Sequence, residues 1–261
     1  MGLEAFQDRD YKSAVQHFSQ AIQQEDSPDA AYSNRCIAYL LMELPQLAIE
    51  DCTAALQLDP SRFHVQFYRG LVRYRLAQYE QASIDFTRYL QQSPQDARAY
   101  YNRGLAVFAQ GQVEQALGDY QQAMTYASML TPLEISNLYN DLGVAYLANT
   151  QFDAAIAALD QAIVWDDSDP RAYFNRGCAC QRQGNYAAAL RDFEQVLALE
   201  PNYAEAYLNR SWVKHEMGHH REAIADLEAA LDHFQRQGDD QGVQRAKIRL
   251  QQLAMPVRAI G

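Results

Sequence analysis

Within residues 171–183 the side chains sort into two stripes at helical spacing. Tyr173, Arg176, Gly177 and Cys180 share one face. Arg171, Phe174, Asn175 and Cys178 follow i, i+3, i+4, i+7 on the other. A polar turn, "QGN" (183–185), ends the segment, and a second amphipathic segment follows. The same two-segment phrase recurs along the chain, with turns such as "MGH" (217–219). The pattern predicts helix pairs throughout and no sheet.

The pairs keep a fixed period. Ala14, Ala48, Ala82 and Ala116 are 34 residues apart, and after a five-residue insertion Ala155, Ala189 and Ala223 resume that spacing. A small residue occupies a second column: Gly2, Cys36, Gly70, Gly104, Gly143, Gly177, Ser211. A bulkier column lies four residues after each Ala: Phe18, Cys52, Phe86, Tyr120, Leu159, Phe193, Leu227. Tyr32, Tyr100, Tyr139, Tyr173 and Tyr207 hold a fourth, and Pro60, Pro94 and Pro201 close three of the units. A small residue facing an Ala lets two helix backbones approach closely.

These columns resemble the tetratricopeptide repeat family over almost the whole chain. The resemblance implies an all-α, right-handed superhelical solenoid of antiparallel helix pairs, with a concave groove lined mainly by the first helix of each pair. The repeats fall at 1–28 (partial), 29–62, 63–96, 97–130, 136–169, 170–203 and 204–237. Residues 239–253 read as a capping helix, with Val243, Ala246, Leu250 and Leu253 on one stripe, and 254–261 as a flexible tail. The whole of 1–253 is expected to be a single solenoid. The first repeat lacks the opening turn of its first helix, which makes the chain read as a piece of something longer. At the insertion, "TPLE" sets Thr131 as a cap, Pro132 at the first helical position and Glu134 to complete a capping box.

One pair of columns varies together. Arg35, Arg69, Arg103, Arg176 and Arg210 are each followed sixteen residues later by Asp51, Asp85, Asp119, Asp192 and Asp226. The repeat at 136–169 has Leu142 and Ala158 instead, and the partial repeat has Met1 and His17. Joint presence and joint absence predict an ion pair between the two helices of a repeat, a structural role rather than a ligand site.

The opposite stripe of each first helix has no partner within its repeat and is expected to face the groove. Along the chain it offers Asn34, Phe67, Leu71, Tyr74, Arg98, Tyr101, Asn102, Leu105, Phe108, Arg171, Phe174, Asn175, Asn209 and Trp212. Apolar members would supply affinity for a peptide or helix of a partner protein. An Asn amide can donate to and accept from a peptide backbone. The arrangement is similar to the asparagine ladder of the glycosyltransferase that attaches N-acetylglucosamine to proteins, with Tyr68 and Asp141 interrupting it. The carboxylate clamp by which some relatives grip chaperone tails lacks its lysine here: Tyr101, Leu105, Asp141, Arg171 and Asn175 occupy the corresponding places.

Charge and composition narrow the function. A formal net charge of −11, with no long basic run, argues against nucleic acid and acidic membrane surfaces. No apolar run is long enough to span a bilayer, so direct membrane insertion is not expected. Four cysteines in 261 residues do not make a disulfide scaffold, so a reducing, cytoplasmic setting is the default. Cys178 and Cys180 point to different sides of a helix, and Gly218 should end the helix between His215 and His219, so no metal or cofactor is expected. No phosphate loop, nucleophile elbow or paired carboxylate is present. The expectation is a non-enzymatic adaptor, scaffold or assembly factor binding a protein or peptide. The alternatives are self-association through open solenoid ends or the tail 255–261, and a regulatory region of a longer protein.

Overall fold

The computed structural model describes residues 1–254. Among these, fifteen α-helices and one short 3-10 turn carry the fold, without a strand. The chain divides into two compact units, Met1–Leu130 and the residues from Thr131 onward. The first unit holds α1 (Gly2–Gln7), α2 (Tyr11–Gln23), α3 (Pro28–Leu41), α4 (Pro45–Leu58), α5 (Phe63–Arg75), α6 (Tyr79–Gln92), α7 (Ala97–Ala109) and α8 (Val113–Thr125). The second holds α9 (Pro132–Ala148), α10 (Phe152–Trp165), α11 (Pro170–Gln183), α12 (Tyr186–Leu199), α13 (Ala204–Glu216), α14 (His220–Gln237) and α15 (Asp240–Ala254). Each unit is a solenoid-type stack of antiparallel helix pairs. Within a unit successive helices pack together, and first helices also touch the next first helix, as α3 touches α5 and α9 touches α11. That contact sets the first helices side by side on one face.

Close approach explains the periodic columns. The seven Ala residues of the 34-residue series, Ala14 to Ala223, are all fully buried. At Gly177 a Cβ would lie 2.8 Å from the Phe193 ring, so the second helix can seat an aromatic only because the first helix offers no side chain there. α15 closes the second unit, burying Ala246 and packing Val243, Leu250 and Leu253 over Leu227 and Phe234. At the insertion the Thr131 hydroxyl accepts from the Glu134 amide, and the Glu134 carboxylate accepts from the Thr131 amide, completing the capping box that starts α9. The expected tail falls outside the described residues, apart from Ala254, which ends α15.

Each of the five arginines donates twice to its aspartate, from Nε to Oδ2 and Nη2 to Oδ1, at 2.6–3.0 Å. In three repeats Nη1 also reaches the second helix of the repeat before, at Ser19 (2.8 Å), Thr87 (3.1 Å) or Asp160 (2.6 Å). Tyr32, Tyr100, Tyr173 and Tyr207 stack over the same guanidinium groups, with ring centroids 5.4–5.6 Å away. One side chain therefore joins three helices. The hydrogen bond from Arg176 to Asp192 raises the Arg176 pKa further above its ordinary value, keeping the charge fixed. In the repeat without the pair, Leu142 and Ala158 are buried and fill the place with hydrocarbon.

The turns inside the repeats impose a separate cost. The residue that redirects the chain after each first helix has positive φ: Arg9 (61°), Glu43 (59°), Ala77 (56°), Gly111 (78°), Thr150 (57°), Gly184 (83°) and Gly218 (83°). Only three of these seven are Gly, so the others hold a left-handed conformation against their own Cβ. Thr150 is β-branched and pays most.

Two outcomes follow for denaturant melts. Arg176→Leu should cost about 1–4 kcal/mol by stranding Asp192, and Arg176→Leu with Asp192→Ala should recover much of the loss. A double variant no more stable than the single one would refute the pairing. Thr150→Gly should stabilise by about 0.5–1 kcal/mol, whereas Gly184→Ala should destabilise by a similar amount.

Candidate functional site on the first-helix faces

The residues read as groove-facing divide into columns with different fates. Of the six residues one position before the Asn column, four turn inward: Ser33, Phe67, Asn140 and Leu208 are all less than a tenth exposed, while Tyr101 and Phe174 stay half-buried. Phe67 packs on Phe86 (5.8 Å between centroids) and Tyr89 (5.3 Å) of α6, so it is a core residue rather than a groove anchor. Phe174 is half-buried, stacked on Tyr203 at 5.1 Å with Phe193 at 5.9 Å, and it too is engaged with the second helix. The expected groove role of Phe67 is thereby corrected, while Phe174 stays half-buried on the face. A single-helix projection hides the second helix of the same repeat, whose rings pack against these positions.

The next columns stay at the surface of the face. Asn34, Asn102, Asn175 and Asn209 are half-buried, as are Leu71, Leu105 and Trp212 one turn on. In the first unit Leu71 and Tyr74 of α5 and Tyr101, Leu105 and Phe108 of α7 remain half-buried on adjacent first helices. Tyr74 leans on Tyr79 at 5.4 Å and Tyr101 on Tyr120 at 6.0 Å, which holds both rings in place. Arg98 is 57% exposed, sits 3.1 Å from Asp96 and lies over the Phe67 ring. Asp96 also accepts from the Arg98 amide to start α7. Burial pushes the Asp96 carboxyl up, but hydrogen bonds from Arg98 and Tyr89 outweigh it and hold the group below the usual range.

In the second unit the polar groups of the same face are tied to one another. Arg171 spans Asp169 (2.8 Å) and Asn137 on the previous first helix (2.7 Å). Asn175 donates to the side-chain oxygen Oδ1 of Asn140 at 2.9 Å, joining α11 to α9, and Asn209 donates to the Cys178 sulfur at 3.6 Å, joining α13 to α11. Asn102, in the first unit, donates instead to the Arg98 carbonyl one turn back, at 2.7 Å. Three of the four ladder asparagines therefore already use one amide donor within the fold. Trp212 meets Tyr186 edge-to-face at 5.5 Å.

The other reactive groups are quiet. Burial pushes the Cys178 thiol up to about 12, the opposite of a reactive thiolate. α13 ends at Glu216, before Gly218, and the ring nitrogens that meet are Nδ1 of His215 and Nδ1 of His220, 2.9 Å apart. Among the described residues no group of three or more His, Cys, Asp or Glu could hold a metal ion, and no helix is long and apolar enough to cross a membrane. Cys36 and Cys52, which the cysteine count leaves unpaired, are joined in a disulfide. The signal was in the columns: both stand sixteen residues apart, at the small and bulky positions of one repeat. The partners of the third nitrogen of Arg35, Arg103 and Arg176 show likewise in the sequence, sixteen residues before each of the three.

Tetratricopeptide repeat profiles match residues 67–129, 142–207 and 181–248. The chain belongs to the tetratricopeptide repeat family. Among its relatives is serine/threonine-protein phosphatase T of Aspergillus oryzae, 34% identical over 85 residues, a match to 33% of this chain and 18% of that protein. The chain spans less than a fifth of that relative's length. Of the solved tetratricopeptide repeat structures, pilF of Pseudomonas aeruginosa superposes with a TM-score of 0.68 at 17% identity, covering 86% of this chain and 98% of pilF. YrrB, described as having an unusual peptide-binding site, gives 0.61 at 22% identity, covering 77% of this chain and all of YrrB.

Phe67→Ala should lower stability by about 3 kcal/mol in a denaturant melt, the cost of emptying a buried aromatic site. Phe108→Ala, at the half-buried surface, should cost less than half as much. Equal costs would return Phe67 to the exposed face.

Proposed function

We propose that this chain is a non-enzymatic interaction scaffold or assembly factor that holds a peptide or helix of a partner protein against its first-helix face. The observation that carries the reading is the apolar run Leu71, Tyr74, Tyr101, Leu105 and Phe108, half-buried on neighbouring first helices of the first unit. Helices laid side by side leave a shallow trough, and large apolar side chains along it gain free energy only when a ligand covers them. A ligand helix would present anchors at i, i+3, i+4 and i+7, and an extended peptide would use alternate side chains.

The second unit would contribute register rather than area. Asn175 spends one amide hydrogen on Asn140, which leaves its carbonyl oxygen and second hydrogen to meet a backbone. Arg171 and Arg98 stand exposed at the starts of their helices, each balanced by an aspartate two residues before. The peptide-binding site described for YrrB supports the same class of ligand. The alternative in which the tail 255–261 fills the groove falls on residues outside those described.

Peptides selected from a random display library on the wild-type chain provide the test. Leu105→Ala with Phe108→Ala should weaken the selected peptides at least about tenfold. Arg88→Ala, on the second helix α6, should leave their binding unchanged, and both variants should keep wild-type helicity. Undiminished binding by the Leu105/Phe108 variant would place the site on the second helices or loops.

A further inference from the structure

Five of the seven repeats close their helix pair with a glycine against a large residue, Gly2 on Phe18, Gly70 on Phe86, Gly104 on Tyr120, Gly143 on Leu159 and Gly177 on Phe193, and in a sixth Ser211 and Leu227 hold the same two positions. A Cβ on any of the five glycines would come within 2.5–2.9 Å of the facing side chain. The repeat at 29–62 departs at both positions together. Cys36 stands at the small position of α3 and Cys52 at the large position of α4, their Cα atoms 5.3 Å apart, both fully buried and covalently joined. Neither change works alone. Cys36 against a phenylalanine would clash, and Cys52 against a glycine would leave the volume of a ring empty. The residues immediately before them, Arg35 and Asp51, form the bidentate ion pair, so covalent and ionic links bind α3 to α4 at consecutive positions.

We propose that Cys36 and Cys52 form a redox-set staple that fixes the first complete repeat, and that the redox conditions under which the chain folds decide whether this repeat is rigid. Closure proceeds by exchange with a small-molecule disulfide such as oxidised glutathione. The thiolate of one cysteine attacks the reagent and expels one glutathione thiolate. The second cysteine thiolate then attacks the mixed disulfide and expels the other. The two cysteine protons end on the two released thiols, so the chain is oxidised by two electrons and the reagent reduced by two. Because both sulfurs are buried, exchange in either direction requires α3 and α4 to part. The staple therefore closes during folding and afterwards resists reductant for as long as the repeat stays shut.

Without the bond, two thiols replace the small-on-large contact that closes the other repeats, and the ion pair holds the helices without it. α3 carries Asn34 and Ile37 on the first-helix face and packs against α5, so the staple governs how firmly this part of the face is held. The inference concerns stability and does not depend on what the face binds.

Hydrogen exchange on the full chain tests it, comparing protein refolded with oxidised glutathione and protein refolded and kept in reductant. Reduction should speed amide exchange in α3 and α4 about a hundredfold, the effect expected for opening a closed loop of this length, and leave α11 to α14 unchanged. Denatured, oxidised protein should present two alkylatable thiols, Cys178 and Cys180. Cys36→Gly with Cys52→Phe adopts the packing of the other repeats and should be protected regardless of reductant. Cys36→Ser with Cys52→Ser should exchange like the reduced wild type under both conditions. Equal exchange in the two redox states of the wild type would overturn the proposal. So would four alkylatable thiols after oxidative refolding, or a Gly/Phe variant that still loses protection in reductant.

Discussion

A guanidinium group held between helices fixes the spacing of the repeats, because its planar fork accepts only one arrangement of the aspartate it faces. Nε and Nη2 take the carboxylate of the partner helix, and in three repeats Nη1 takes a side chain of the repeat before. Desolvating both charges largely cancels their attraction, so such a pair contributes little net stability. What it contributes is register. A helix that slips by one residue loses two hydrogen bonds and leaves a charge unmatched, whereas a greasy contact would tolerate the slip. Leu142 and Ala158 show that a single repeat can do without the device when its neighbours keep theirs.

The fold was legible because its couplings are local and repeated. A 34-residue period fixes the helices, and a sixteen-residue offset inside it marks which positions meet. Arg35 with Asp51 and Gly177 with Phe193 share that offset, so the sequence alone states that the columns touch. The face open to a ligand was less legible. Projection of one helix separates Phe174 from Tyr173 and Arg176, but it cannot show that Phe67, Asn140 and Leu208 are closed off by packing while Tyr101 of the same column is not. Tertiary burial, not amphipathicity within one segment, decides which of two adjacent stripes remains open.

The asparagines illustrate a second limit of reading sequence. An amide suited to a ligand's backbone suits a neighbouring amide equally well, and only coordinates tell the two uses apart. Asn175 on Asn140 and Asn209 on Cys178 knit first helices together, while Asn102 turns back on its own helix. Holding the amides in place lowers the entropy they would lose on meeting a ligand, so an internal bond and a recognition role are compatible.

A repeat protein also carries its own record of compensated substitution. Positions that touch change together: Arg with Asp gives way to Leu with Ala, and Gly with Phe gives way to Cys with Cys. The left-handed turn position has no such correspondent, and it wanders through Arg9, Glu43, Ala77 and Thr150 besides glycine. A backbone strain of about 1 kcal/mol at one turn can be offset anywhere in the stack, since no particular neighbour must answer it. A misfit between two packed helices can be answered only at the facing residue. Cysteines at 36 and 52 therefore belong with the ion pairs, as a coupled solution to one contact, and a count of cysteines over the whole chain could not reveal them.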